Sequence, residues 1–196
     1  FFSPVTIRCK TFVSEMWDKD LPTDHWDEII SKDHSKVWSS LSKDLKRLAE
    51  MEFPRYSLTD DDPVDLFLFT DASKKAYGFV VYAAQNGIVN FVFAKAKVAP
   101  LRSKTLPQLE LLAVFAAVKY LFNLLIVFEH VRVRRVYVVC DAQVILSWCL
   151  SSVVKTKNIF TANRIKDVKK MVTEIKDQYC LDAVSYTHLT LPTNPE

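Results

Sequence analysis

Three acidic side chains stand where apolar runs begin or give out. Asp71 follows Val64-Asp65-Leu66-Phe67-Leu68-Phe69-Thr70, Glu110 opens a long apolar stretch, and Asp141 comes directly after Val138-Val139-Cys140. Apolar runs of this length are buried strands or helices, so each acid marks the mouth of a packed element. If the strands that precede Asp71 and Asp141 are neighbours, both acids leave the sheet at one edge, and a helix crossing that sheet brings Glu110 over them. Carboxylates that converge repel one another unless a cation sits between them. Mg2+ suits such a site, because it takes oxygen ligands and keeps several waters. Two such ions about 3.5–4 Å apart can clamp the attacking and leaving oxygens of a phosphoryl transfer. Singly, each acid also has a plain structural use, as a turn former, a helix cap or a partner of the helix dipole. Only their combination with the strand order points to chemistry.

Other chemistries find little support. The chain has 196 residues and only two glycines, Gly78 and Gly87, too few for a glycine-rich phosphate loop or a dinucleotide fingerprint. The four cysteines, Cys9, Cys140, Cys149 and Cys180, form no C-x-x-C pair and no zinc spacing. They read as reduced, partly buried thiols of a reducing compartment. His25, His34 and His130 are paired with no nucleophile and read as surface or packing residues. About half the residues are hydrophobic, a quarter are charged and the net charge is +3, which is the make-up of one globular domain with an appendage. The longest apolar stretch, residues 111–128, is interrupted by Lys119 and Asn123 and reads as a buried helix, so no membrane partner is expected. The chain opens Phe1-Phe2 with no signal peptide, so the expectation is a fragment of a longer intracellular protein.

The elements that must position the acids can be placed from pattern. Residues 1–60 carry Trp17, Trp26 and Trp38, with Val37, Leu41, Leu45 and Leu48 at helical spacing behind Ser31 or Asp33 as a cap. Pro4, Pro22 and Pro54 punctuate this short helical segment. Asp60-Asp61-Asp62-Pro63 is a linker signal. Strands are expected over residues 64–69, 77–84 and 88–95, with Gln85-Asn86-Gly87 as a hairpin turn, giving an antiparallel meander. Thr105 and Pro107 start a helix over residues 109–128; a buried strand ends at Cys140; helices follow over residues 142–150 and 163–176. The order implies an α/β fold, a mixed sheet of three antiparallel strands and then, after a helix, a parallel strand, with helices packed on it. Basic residues flank the acids in three sets: Lys95, Lys97, Arg102 and Lys104; Arg132, Arg134 and Arg135; and Lys155, Lys157, Arg164, Lys166, Lys169 and Lys170. Such sets suit phosphate positioning, although each is equally at home on a solvated face.

Several segments together resemble a known family. Phe69-Thr70-Asp71-Ala72-Ser73-Lys74-Lys75-Ala76-Tyr77-Gly78 resembles the opening strand, turn and strand of a ribonuclease H domain. Ala94-Lys95-Ala96-Lys97-Val98-Ala99-Pro100, with Thr105-Leu106-Pro107-Gln108-Leu109-Glu110-Leu111-Leu112-Ala113, resembles the Pol polyprotein of BEL/Pao-type LTR retrotransposons. Val139-Cys140-Asp141-Ala142-Gln143-Val144-Ile145-Leu146-Ser147-Trp148 and Phe160-Thr161-Ala162-Asn163-Arg164-Ile165 fit the same family. Upstream, residues 2–10, Trp17 and Phe53-Pro54-Arg55 resemble the tail of its reverse transcriptase. The resemblance covers about residues 1–180. Such chains often carry the label Pao retrotransposon peptidase, but Asp71-Ala72-Ser73 lacks the glycine of an aspartic-protease triplet, so the peptidase would lie elsewhere.

The resemblance implies a ribonuclease-H-like fold over residues 61–183 behind a reverse-transcriptase tail over residues 1–60. It also implies Mg2+-dependent hydrolysis of the RNA strand of RNA/DNA hybrids during reverse transcription. Asp71, Glu110 and Asp141 match three of the family's four metal-binding acids and would be both catalytic and metal-binding. The cofactor would be two Mg2+ ions, with Mn2+ as the alternative. Lys95, Lys97, Arg102, Lys104, Asn163 and Arg164 are the nucleic-acid-binding candidates, and the rest of Pol, reverse transcriptase and integrase, would be partners in a cytoplasmic particle or the nucleus. The family's fourth acid lies in an Asn-Pro-Ala-Asp-like stretch after a fifth strand, and Asp182 comes too early to match it. Residues 184–196 resemble one reading frame of a sequencing-library adapter and read as a non-native tail, so the domain is expected to lack its last strand, and His188 is given no role. The alternative function is a non-catalytic ribonuclease-H-like module of a decayed retroelement, binding nucleic acid or supporting the polymerase.

Overall fold

The computed structural model describes residues 2–16, 29–52, 58–59, 62–100, 104–128, 130–151, 156–179 and 183–188. Trp17, Pro22, Trp26, Phe53-Pro54-Arg55, Asp60-Asp61, Arg102, Lys155, Cys180 and Asp182 lie outside the described residues. The elements run α1 (Ser3–Met16), α2 (Lys32–Ala49), β1 (Val64–Ala72), β2 (Ala76–Gln85), β3 (Ile88–Val98), α3 (Leu106–Val127), β4 (Val133–Cys140), α4 (Gln143–Leu150), α5 (Ile159–Tyr179) and β5 (Ala183–His188).

The strands form one sheet in the order β3-β2-β1-β4-β5. β1 to β3 are an antiparallel meander, and β4 adds to β1 in parallel, as the sequence pattern requires. Asn86 and Gly87 form the β2–β3 turn with φ of 54° and 76°, the doubly left-handed geometry that keeps a two-residue hairpin in line with the strand twist. Along β1 the burial alternates, so that Val64, Leu66, Leu68 and Thr70 point to one face. Val136 and Val138 of β4 and Phe79, Val81 and Ala83 of β2 join them. α3 packs onto this face through Leu111, Val114, Val118 and Leu121, and α5 packs against α3, with Ile165, Val168 and Ile175 in the same core. α3 is long and apolar enough by composition to cross a membrane, but here it is a core helix wedged between the sheet and α5.

The opposite face is partly open. Phe67 and Tyr137 stack there at 4.8 Å, with Phe69, Tyr82 and Phe91 in edge contacts beside them. α1 covers the β3 side of that face: Ser3 Oγ donates to the Ala94 carbonyl at 3.0 Å, and Lys75 Nζ pairs with Glu15 at 2.6 Å. Ile7 shares a cleft with Phe69, Gly78, Val80 and Ala96.

Two elements depart from the sequence reading. α1 begins at Ser3, so Pro4 falls in its first turn, where the missing N–H has no helical partner to lose; Pro4 starts a helix here and does not interrupt one. The second is a fifth strand. β5 pairs in parallel with β4, Arg135 opposite Ala183 through Cys140 opposite His188. Ala183-Val184-Ser185-Tyr186-Thr187-His188 is rich in strand formers. The far edge of β4 would otherwise leave a row of backbone groups unpaired. The expectation of a sheet that stops at β4 is therefore corrected.

Candidate metal centre and nucleic-acid face

The parallel pairing of β1 with β4 sets the site. Thr70 lies opposite Cys140, so the next residue of each strand, Asp71 and Asp141, emerges at the same end of the sheet. Both are exposed. Thr70 is buried and donates its hydroxyl to the Val139 carbonyl at 3.1 Å, tying the two strands together just beneath the acids. α3 brings the third acid. Thr105 caps it, and the Gln108 side chain accepts from the Thr105 amide at 3.1 Å, fixing where the helix starts. Glu110 then lies one turn in, only 5% exposed, beneath a helix that is otherwise apolar at this depth.

Three donor groups meet there: a Glu110 carboxylate oxygen, Cys140 Sγ and an Asp141 carboxylate oxygen lie within 4.8 Å of one another. Glu110 Oε2 is buried with no hydrogen-bond partner, an arrangement that costs free energy unless something fills it. Burial pushes the Glu110 carboxyl up to about 7, the charges of Asp141 and then Asp71 push it the same way, and the Ala72 amide offsets part of this. Burial also raises the Cys140 thiol. A carboxylate buried beside two others, with one oxygen left over, fits a divalent cation, whose charge would reverse each of these shifts.

The sequence candidates separate on inspection. Glu110 and Asp141 come together as expected. Asp71 is close enough for its charge to act on Glu110, but its Oδ1 accepts from the Ala72 amide at 2.7 Å and it is not in the tight cluster. Cys140 is the member that sequence reasoning missed. Its position one residue before Asp141 was the available signal, read there only as a buried thiol.

The basic candidates divide as well. Lys104 Nζ lies 3.9 Å from the centre of the Phe160 ring, and the Arg164 guanidinium is 4.6 Å from Phe115 and 5.7 Å from Phe160. This cluster sits on the α3–α5 seam, beside the half of α3 that carries Glu110, with Asn163 exposed next to it. Arg164 is also paired with Asp167 at 2.6 Å. Lys95 is elsewhere, 4.3 Å over the Tyr120 ring, and Lys97 is exposed on β3. Arg134 and Arg135 bind Asp65, Arg134 through two hydrogen bonds of 3.0 and 2.7 Å, which makes them a structural ion-pair group of the sheet.

A search of curated proteins finds no match. Among solved structures, the chain is similar to RNase H1 of the halophilic archaeon Halobacterium salinarum NRC-1 (TM-score 0.43, 14% identity, 65% of this chain and 85% of that one). It is also similar to LC11-RNase H1, isolated from compost by a metagenomic approach and solved with an RNA/DNA hybrid (TM-score 0.43, 14% identity, 64% and 84%). A third is the foamy viral protease-reverse transcriptase in complex with an RNA/DNA hybrid (TM-score 0.46, 13% identity), which matches over 86% of this chain and 21% of its own. The family described as Pao retrotransposon-like RNaseH-like domain matches residues 1–142. With that match across most of its length, and with a five-stranded mixed sheet carrying acids at the ends of its two central strands, the chain belongs to the Pao retrotransposon-like RNaseH-like domain family.

Proposed function

We propose that this domain hydrolyses the RNA strand of RNA/DNA hybrids during reverse transcription, with Mg2+, or Mn2+ in its place, held by Asp71, Glu110 and Asp141. The observation that carries this reading is the buried, unpartnered Glu110 oxygen beside Asp141 at the end of paired strands β1 and β4. Two bound cations would activate a water for in-line attack and stabilise the 3′ oxygen that leaves. The chain's own contribution is to hold that geometry. The β1–β4 pairing fixes the two aspartates, and α3 delivers Glu110 from a buried position where its negative charge is undiluted by water. Lys97, Lys104, Asn163 and Arg164 hold phosphates along the hybrid, with Lys95 at the far edge. RNA is told from DNA by the 2′-hydroxyl and the groove shape. Residues 1–60 are the end of a reverse transcriptase, residues 61–183 the ribonuclease-H-like unit and residues 184–196 a non-native tail, of which residues 184–188 complete the edge strand β5. The domain works inside the cell, joined to the other parts of the Pol polyprotein, reverse transcriptase and integrase.

A second reading, a module that binds hybrid without cutting it, is favoured by one observation: the Asp71 carboxylate is turned to its neighbouring amide, outside the tight cluster. Cleavage and binding of a labelled hybrid separate the two. Cleavage is expected in Mg2+, none with a chelator, and none for Asp71→Asn or Asp141→Asn. Cleavage that survives both substitutions overturns the first reading. Hybrid binding by the unaltered chain with no turnover in either metal establishes the second.

A further inference from the structure

The Cys140 thiol is out of place in a site for Mg2+ alone. Mg2+ prefers oxygen and does not seek sulfur. Yet Cys140 Sγ shares the corner with Glu110 and Asp141 oxygens, all within 4.8 Å, and the residue is 1% exposed. Strand alternation would send consecutive residues to opposite faces. Here β4 ends at Cys140 and the chain bends at Asp141, so both side chains reach the same corner. The Ala142 amide donates to Sγ at 3.4 Å, a contact that holds the sulfur in place. Independently of the cysteine, Glu110 is buried and aims an unpartnered oxygen into the same space.

We propose that Cys140 is a metal ligand, and that Glu110, Cys140 and Asp141 form a mixed sulfur–oxygen site for a thiophilic divalent cation, Zn2+ or Cd2+, which competes with the oxygen-bound cation of the reaction. The inference rests on the reading of this corner as a metal site and adds the sulfur to it. Zinc takes sulfur at about 2.3 Å and carboxylate oxygen at about 2.0–2.2 Å, so three donors around one ion stand roughly 3.5 Å apart. From a spacing of up to 4.8 Å the donors need to close by at most about 1.3 Å, a side-chain adjustment. On binding, the Cys140 S–H proton passes to solvent and the sulfur lone pair forms the bond to the metal, with no change of oxidation state. Zn2+ outranks the harder ions at such a donor set, so micromolar-range zinc is expected to block hybrid cleavage in Mg2+ and a chelator selective for zinc to restore it.

The test is titration of the full chain with Cd2+, followed by the ultraviolet thiolate-to-cadmium charge-transfer band, with Mg2+ binding measured separately by calorimetry. The expected result is a band that Cys140→Ser removes and Glu110→Gln weakens, with Cd2+ affinity at this site falling at least roughly tenfold in each variant. A band of equal strength in Cys140→Ser overturns the proposal, since it would then arise from Cys9, Cys149 or Cys180. If Cys140→Ser does not fold, Glu110→Gln keeps every thiol and still decides: an unchanged titration overturns the proposal. Mg2+ binding without a Cys140-dependent band removes the sulfur and leaves the oxygen site standing. A Cys140-dependent band without any Mg2+ binding does the reverse.

Discussion

Glu110 is buried beside Asp141, and that burial has a consequence for stability. Its folded value, about 7, lies above the ordinary 4.5. Between those values the folded chain holds a proton that the unfolded chain has released. The slope of unfolding free energy with pH is then negative. With a chelator present, the melting temperature is therefore expected to fall as pH rises from about 4.5 to about 7, and to flatten above it. Glu110→Gln, which cannot ionise, is expected to lose that slope, and Mg2+ to offset it in the unaltered chain by binding the ionised carboxylate. An identical slope in Glu110→Gln would show that another group is responsible. Asp71, Glu110 and Asp141 were legible in the sequence only together: each has a plain structural use alone, but each opens or ends an apolar run, and the strand order brings those run ends to one edge of the sheet. Cys140 was not, because a cysteine inside such a run looks like any small apolar residue until the bend after it is seen.

At the scale of elements, the meander and the β1–β4 pairing carry the site, and their turn chemistry was readable. Asn86-Gly87 announced its hairpin, and the boundaries of β1 to β4 and α3 to α5 fall within a few residues of the pattern. The N-terminal helix behind Pro4 was not readable, because a proline that starts a helix and one that ends it look alike without the fold. Nor was β5, whose sequence looks foreign and whose partner is fixed only by the open edge of β4. Gly78 is a second position where sequence pattern and sheet geometry meet. A Cβ there would lie 2.8 Å from the Lys95 carbonyl oxygen and 3.3 Å from Ala96, both in the paired strand β3. The nearest obstacles are backbone atoms of β3, which leave little room to give way. Gly78→Ala is expected to cost about 1–3 kcal/mol, read as a lower denaturant midpoint. A midpoint that is unchanged or higher would mean that β2 and β3 shift apart freely at this point.

Across the whole molecule, the net charge of +3 is too mild to name a partner, so the arrangement of charge matters more than its sum. The two arginines committed to Asp65 stabilise the sheet, whereas Lys104 and Arg164 lie on the α3–α5 seam near Glu110. If that seam tracks the hybrid, binding weakens with salt, and Lys104→Gln reduces the slope of log K against log salt by about one. The same substitution at Lys36, which is paired with Asp33 on α2, is expected to leave the slope unchanged. Equal effects at both positions would place the hybrid elsewhere. If a water activated at the Glu110–Asp141 corner cuts the RNA strand, the chemistry of the cut ends carries its signature. With an end-labelled RNA/DNA hybrid in Mg2+, the expected result is that only the RNA strand is cut, leaving 5′-phosphate and 3′-hydroxyl ends, and that Asp141→Asn leaves it whole. An intact RNA strand, or cyclic-phosphate ends that persist in a chelator, would contradict it.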